Sequence, residues 1–194
     1  MANGVDQVLS DDVGEDVLRK FYQENILHFG KAQVRAAHIL IEAVDPETGK
    51  EDWAKAERRI NEIAGELFGA PDPRRAFPLL AQRYSMDPGT AKKGGDLGEF
   101  PLRGQLAREF AEAAFALNPG EISAPVKSGY GYHLILCLER KPPDLQANAF
   151  EDPEIRKQVK QEYLESLREK WLETNVYAGM KVKRLVDKLF TEGK

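Results

Sequence analysis

The stretch SMDPGTAKKGGDLGEF, residues 85–100, contains four glycines and one proline and ends in the strand-like LGEF. Glycines mark turns far more often than ligand sites, so ordinary turn formation is a strong interpretation of this stretch. A phosphate-binding loop would show G-x-x-x-x-G-K-[ST], or G-x-G-x-x-G between a strand and a helix, and neither pattern is present. Apolar segments on both sides argue against a flexible linker. The remaining interpretation is a loop followed by a strand inside a folded domain.

The composition is that of a globular protein with a well-solvated surface. Of 194 residues, 42% are hydrophobic and 31% are charged, which is enough for one core and a smaller appended unit. The net charge of −4 gives no basic footprint for nucleic acid. No apolar run approaches the ~18 residues of a membrane helix. We therefore expect neither a nucleic-acid partner nor a membrane span.

The sequence alone does not decide the cellular compartment of the protein. The N-terminal MANGVDQVLSDD lacks the basic start and apolar stretch of a secretory signal. The chain is therefore expected to be cytoplasmic, or a mature form from which a signal was removed. Cys137 is the single cysteine, which excludes an internal disulfide. Its place in the apolar YHLILCLER predicts a small buried hydrophobe.

Hydrophobic periodicity predicts alternating helices and strands around the glycine-rich stretch. In order, they are a helix from Ser10 or Asp11 to about residue 29, a strand over 33–44, helices over 52–68, 74–85 and 104–117, strands over 121–128 and 129–140, and a long helix over 152–174. Pro78 is expected to be tolerated only near the first turn of its helix. The tail from residue 176 is predicted to form a short strand and an amphipathic turn or two.

The element order predicts three parts. A central β–α–α–β–α–β–β unit spans residues 34–141 and ends at the KPPD stop. A helical flank, residues 1–33, precedes it. Residues 142–194 form a C-terminal helix and tail, which are expected to pack with the N-terminal flank.

Two of the three histidines are candidates for a site. His38 and His133 each lie inside an apolar strand, in the first and last strands of the central unit, which favours a shared polar pair. No HxH, CxxC or HExxH pattern supplies further metal ligands, and no G-x-S-x-G supplies a serine nucleophile. Cys137 shares a strand face with His133 but lies roughly 13 Å away, too far for a hydrogen bond.

Four segments in order resemble the parvulin (PpiC/rotamase) domain of peptidyl-prolyl cis/trans isomerases: VRAAHILI, LAQRYSMDPGTAKKGGDLGEF, GQLAREFAEAAFAL and GEISAPVKSGYGYHLI. The resemblance covers about residues 34–141 without gaps, and the combination of GGDLG, F-x-x-AAFAL, GEIS-x-PV and GYH is highly specific. It implies an α+β fold, with a four-stranded antiparallel sheet surrounded by helices. It also implies isomerisation of Xaa-Pro bonds without a metal or other cofactor.

The resemblance implies two sets of site residues. The catalytic set is His38, Asp87, Ser128 and His133. The set that forms the apolar pocket for the proline ring is Leu97, Leu106 and Phe110, with Leu106 in place of a common methionine. The histidines are interpreted as supports for the groove, and Asp87 as the group with a direct electrostatic role. The segment IEAVDPETGKED is acidic where phosphate-reading relatives are basic, so phosphate dependence is not expected.

The flanks resemble those of the bacterial extracytoplasmic foldases and chaperones, the SurA, PrsA and PpiC-like group. Apolar stripes on residues 13–22 and 155–171 are expected to form a helical lobe that binds unfolded, proline-containing polypeptides or only covers apolar surface. The sequence does not decide whether the protein self-associates through its terminal helices. The predicted function is a folding-assisting isomerase of the cell envelope if a signal was removed. The alternative is a parvulin-fold chaperone or peptide-binding module with little catalysis.

Overall fold

The computed structural model describes residues 13–44, 49–104, 106–144 and 149–174. The chain divides into two compact units. One unit is Leu27–Asp144, and the other combines Met1–Ile26 with Leu145–Lys194. The predicted helix start at Ser10 or Asp11 and the predicted strand and turns after residue 175 lie outside the described residues.

The elements follow the predicted order. They are α1 (Glu15–Glu24), α2 (Ile26–Phe29), β1 (Gln33–Glu42), α3 (Trp53–Phe68), α4 (Pro73–Tyr84), β2 (Asp96–Pro101), α5 (Arg108–Ala116), β3 (Val126–Lys127), β4 (Gly131–Lys141) and α6 (Pro153–Leu172). Short 3-10 turns cover Ala91–Lys93 and Ala149–Glu151. The predicted α+β fold is confirmed.

The four strands form one antiparallel sheet in the order β2-β1-β4-β3. Long β1 and β4 are central and pair along their whole length, from Gln33 opposite Lys141 to Glu42 opposite Gly131. The strand predicted over 121–128 is shorter, since only Val126–Lys127 forms a ladder and Ile122 makes an isolated bridge. Pro125 lies between them and has no N–H to donate, which explains the interruption.

Helices cover both faces of the sheet, so β1 and β4 are almost entirely apolar. On the first face, α3 and α4 pack on the strands through a cluster that includes Ile39, Ile41, Ile60, Ile63, Leu67, Phe77, Leu80, Leu134 and Leu136. On the second face, α5 contributes to a cluster that includes Val34, Ala36, Phe100, Phe110, Ala114, Phe115, Ile135 and Cys137. Because side chains alternate along a strand, the two histidines of β1 and β4 fall on the second face.

Aspartate side chains begin the two helices of the first face. The Asp52 carboxylate accepts a hydrogen bond from the Lys55 N–H, and Asp72 accepts from the first turn of α4, whose first residue is Pro73. The expectation that Pro78 would lie near the first turn is wrong. Because α4 starts at Pro73, Pro78 lies in the second turn, where it removes one helical hydrogen bond.

The second unit contains α1 and α6. The Phe21 and Tyr163 rings meet edge to face with centroids 5.3 Å apart. The ring centroids of Tyr22 and Phe150 lie 5.5 Å apart. The predicted single helix is interrupted at Asn25, which ends α1 before the short α2. In the part of the chain with assigned structure, no helix combines the length and apolarity needed to cross a membrane.

Candidate active site

The glycine-rich segment is bound to the edge of β1, where it brings Asp87 beside His38. The Met86 N–H donates to the Leu40 carbonyl at 2.8 Å, and the Leu40 N–H donates to Ser85 Oγ at 3.1 Å. Further along, the His38 N–H donates to the Gly95 carbonyl at 2.9 Å. The loop is therefore fixed to the strand at both ends.

Gly95 permits this close approach. It has φ +86°, and a Cβ built there would lie 2.2 Å from the His38 carbonyl oxygen. The contacted oxygen belongs to the backbone of β1, so it cannot rotate away as a side chain can. The GGDLG motif therefore contains a glycine because the backbone of the loop touches the backbone of β1 at His38.

A continuous chain of hydrogen bonds joins the four predicted catalytic residues. Asp87 Oδ2 lies 2.8 Å from His38 Nε2, and the Nδ1 atoms of His38 and His133 lie 3.3 Å apart. His133 Nε2 lies 2.7 Å from Ser128 Oγ. Both imidazoles are buried. The expected pairing of His38 with His133 is thus present.

Burial lowers the pKa of both imidazoles. Burial and the neighbouring His38 lower the pKa of His133 to about 4. Burial also lowers the pKa of His38, although its hydrogen bond to Asp87 acts in the opposite direction. For Asp87, burial raises the pKa, but hydrogen bonds from Thr90, His38 and the Gly89 N–H outweigh it and the net shift is downward. At neutral pH, the site contains two neutral imidazoles and a carboxylate.

These protonation states fix the direction of every hydrogen bond in the chain. An ionised Asp87 can only accept, so His38 carries its proton on Nε2 and donates to the carboxylate. His38 Nδ1 must then accept from the Nδ1–H of His133. His133 Nε2 in turn accepts from the Ser128 hydroxyl. Asp87 therefore sets the tautomer of both histidines.

An apolar pocket of about 500 Å³ lies over this chain. The described residues that line it are His38, Leu40, Asp87, Leu97, Gly104, Leu106, Ala107, Phe110, Tyr130 and His133. The Phe110 ring stands edge-on to both imidazoles, with centroids 5.6 Å from His38 and 5.1 Å from His133. The three predicted proline-binding residues and three of the four predicted catalytic residues thus share one cavity. Ser128 lies behind His133 and does not line it.

A bulge in β2 directs Leu97 into the pocket. Arg35 pairs with Glu99 and Ala37 pairs with Asp96, so Leu97 and Gly98 together oppose one residue of β1. Gly98 has φ +73°. The extra residue shifts the alternation of β2, and Leu97 joins the second-face cluster beside α5.

Sequence reasoning did not predict the lining residues Leu40, Gly104 and Ala107, and it also missed Thr90 and Tyr130. Thr90 donates a short hydrogen bond to Asp87 Oδ2 and also lies 3.2 Å from His38 Nε2. Its position three residues after Asp87 in a turn-rich segment was a usable signal, because threonine commonly bonds locally in turns. Tyr130 lines the pocket from the turn before β4. An aromatic residue between two glycines was the signal there.

Cys137 does not line the pocket. Cys137 is fully buried in the second-face cluster, and burial raises the pKa of its thiol. Its predicted role as a small buried hydrophobe is confirmed. Within the described ranges, no group of three or more His, Cys, Asp or Glu side chains is placed to hold a metal ion.

Residues 38–139 match the family model described as the PPIC-type PPIase domain, or rotamase. The chain belongs to the PPIC-type rotamase family. This match confirms the resemblance to the parvulin domain, and the matched range includes all seven predicted site residues.

Similar proteins carry foldase and isomerase names. The foldase protein PrsA of Geobacillus kaustophilus is 40% identical over 129 residues, which are 66% of this chain and 38% of that protein. A parvulin-like PPIase of Rickettsia prowazekii is 34% identical over 144 residues, which are 73% and 44% of the two chains. The crystal structure of the peptidylprolyl isomerase PrsA from Bacillus cereus superimposes with TM-score 0.55 and 28% identity, over 89% of this chain and 58% of that one. The chain spans about two fifths of the length of the curated relatives.

Acid should destabilise the protein through His133. In the unfolded chain an ordinary histidine takes up a proton near pH 6.5, whereas His133 in the folded state does so at about 4. The unfolded state binds more protons in that window, so the free energy of unfolding falls as the pH is lowered through it, by at most roughly 3–4 kcal/mol. Urea denaturation across the window measures this slope. A His133→Gln variant, which cannot take up the proton, should show a shallower slope. Equal slopes would contradict the assignment.

Proposed function

We propose that this protein is a peptidyl-prolyl cis/trans isomerase that assists protein folding, works without a cofactor and does not depend on phosphate. One observation carries the proposal. An apolar pocket formed by Leu97, Leu106 and Phe110 lies directly over a neutral histidine pair, with the Asp87 carboxylate at its edge. The family membership and the foldase relatives support the same function.

The pocket suits the twisting of a prolyl amide. The planar Xaa-Pro bond resists rotation by roughly 18–20 kcal/mol because of amide resonance. A twisted amide has lost that resonance and is less dipolar, so apolar walls favour it over the planar form. No bond is broken, and no nucleophile is needed.

The hydrogen-bonded chain of His38, His133 and Ser128 holds Asp87 in place for an electrostatic role. The carboxylate accepts hydrogen bonds from His38 and Thr90, and Asp87 lines the pocket. We infer that Asp87 stabilises the changing charge distribution of the rotating amide, and that His38, His133 and Ser128 act by holding Asp87 and the pocket in position.

The described lining of the pocket contains no cationic side chain to bind a phosphate. None of its described lining residues is a lysine or arginine, whereas phosphate recognition usually depends on such cations. The negative charge of Asp87 also opposes a nearby phosphate. These observations support isomerisation of ordinary Xaa-Pro segments in extended or unfolded polypeptides.

We further infer that residues 34–141 form an isomerase domain and that residues 1–33 and 142–194 together form a helical lobe. The grouping of Met1–Ile26 with Leu145–Lys194 in one unit and the contact of Phe21 with Tyr163 support a shared lobe, although residues 27–33 and 142–144 group with the other unit. The lobe would bind unfolded clients and could mediate self-association. For localisation, the resemblance to the extracytoplasmic foldases implies the bacterial cell envelope if a signal peptide was removed, and the cytoplasm otherwise.

Leu106→Ala should lower catalytic efficiency without unfolding the protein. The substitution removes one wall of the proline pocket, and we expect kcat/KM on Xaa-Pro peptides to fall about three- to tenfold. A protease-coupled assay measures the change. Leu79→Ala is the matched control, because that leucine is 65% exposed on α4 and does not line the pocket. If the two variants were equally active, proline would not bind in this pocket.

A further inference from the structure

Tyr130 is an exposed aromatic side chain at the edge of the candidate active site. It is 69% exposed, the largest fraction of any large hydrophobic side chain in the described ranges. It nevertheless lines the same cavity as Leu97, Leu106 and Phe110. An aromatic ring that is left in solvent beside an apolar pocket gains most when a ligand covers it.

The backbone that carries Tyr130 is fixed. Its N–H donates to Ser128 Oγ at 3.2 Å, and its carbonyl accepts from the Ala43 N–H at 3.1 Å. The next residue, Gly131, has φ +153°, and a Cβ there would lie 2.1 Å from the Ile41 carbonyl oxygen. Contacts with β1 and with the histidine chain therefore determine where the ring emerges.

Two lining residues of the pocket, Asp87 and Tyr130, differ chemically. Asp87 lies beside His38 and supplies a carboxylate, whereas Tyr130 follows Ser128 in the chain and supplies a ring. Successive residues of an extended peptide lie about 3.3–3.6 Å apart, so a proline over Phe110 leaves its neighbour within reach of the cavity edge. A tyrosine with a fixed backbone has few rotatable bonds to immobilise when it makes that contact.

We propose that Tyr130 is a specificity-determining residue that packs against the side chain next to the proline and selects aromatic or branched aliphatic residues there. This inference rests on the proposed isomerase function and names the substrates that the same site prefers. It assigns Tyr130 no part in the rotation itself.

Two peptide series test the proposal, one varying the residue before proline and one the residue after it, each with Ala, Leu and Phe. Tyr130→Ala should lower kcat/KM for the Leu and Phe peptides of at least one series about three- to tenfold, while the Ala peptides change by less than about twofold. Tyr130→Phe keeps the ring and should retain the wild-type preference. Both variants should melt like the wild type, because the ring is exposed.

An equal loss on all peptides, or no loss on any, would overturn the proposal. Failure of the isomerase function gives a different result, since the wild type would then accelerate no peptide at all. In that case peptide affinities, measured by chemical-shift changes of the wild type and Tyr130→Ala, apply the same test. A preference for Leu and Phe that survives Tyr130→Ala would again overturn it.

Discussion

Gly95→Ala should destabilise the protein by about 3 kcal/mol or more, enough to unfold many domains. The new Cβ would lie 2.2 Å from the carbonyl oxygen of His38 and 3.0 Å from its nitrogen, both backbone atoms. The left-handed φ of +86° adds its own penalty, about 1–2 kcal/mol for a residue with a side chain. Urea denaturation measures the loss of stability. Any protein that remains folded should also lose isomerase activity, because the loop that carries Asp87 must move.

Gly98→Ala separates steric overlap from backbone strain. Gly98 has a similar φ of +73°, but a Cβ there would meet nothing within 4 Å. We expect this control to lose only about 1–2 kcal/mol. Equal stability of the two variants would show that the loop does not touch β1 as described.

Asp87→Ala should lower kcat/KM on Xaa-Pro peptides by about ten- to a hundredfold. Loss of one preorganised group at a reacting amide commonly lowers rates by 10²–10³. The smaller estimate applies here because the Asp87 side chain is 22% exposed and partly screened by water. The variant also removes the acceptor that sets the histidine tautomers. Exchange measurements by NMR on a short peptide give the rate.

Glu99→Ala is the matched control for Asp87→Ala. Glu99 is another carboxylate close in sequence, but it pairs with Lys141 at 2.6 Å and does not line the pocket. It should retain wild-type kcat/KM. If Asp87→Ala loses turnover but still binds unfolded clients, isomerase and chaperone activities are separate. Full activity of Asp87→Ala would remove Asp87 from the mechanism.

Local patterns in the sequence were sufficient for much of the fold. The stripe of Ala56, Ile60 and Ile63 predicted α3, and those residues are buried against the sheet. Strand alternation and two histidines in apolar strands were enough to expect their pairing. These features depend on neighbours in the chain, and sequence patterns report such neighbours well.

Local signals marked Thr90 and Tyr130 as notable residues, but their part in the site depends on distant contacts that a sequence pattern does not report. Thr90 and Tyr130 enter the site only because the loop binds β1 and the turn binds Ala43. Pro78 lies in the second turn of α4 and packs close to Gly94 of the glycine-rich segment, a contact between residues distant in the helix pattern. The direction of the histidine hydrogen bonds needed both the distances and the burial of the rings, neither of which a sequence contains.

Catalysed exchange between the cis and trans forms of an Xaa-Pro peptide, followed by NMR with substoichiometric protein, tests the central claim most directly. Isotope labelling of the protein shows in the same sample where the peptide binds. The account predicts exchange far faster than the uncatalysed tens of seconds or more, with shifts at Leu97, Leu106 and Phe110. The account would be contradicted if peptides with a panel of residues before proline bound at those residues but exchanged no faster. The protein would then be a peptide-binding module.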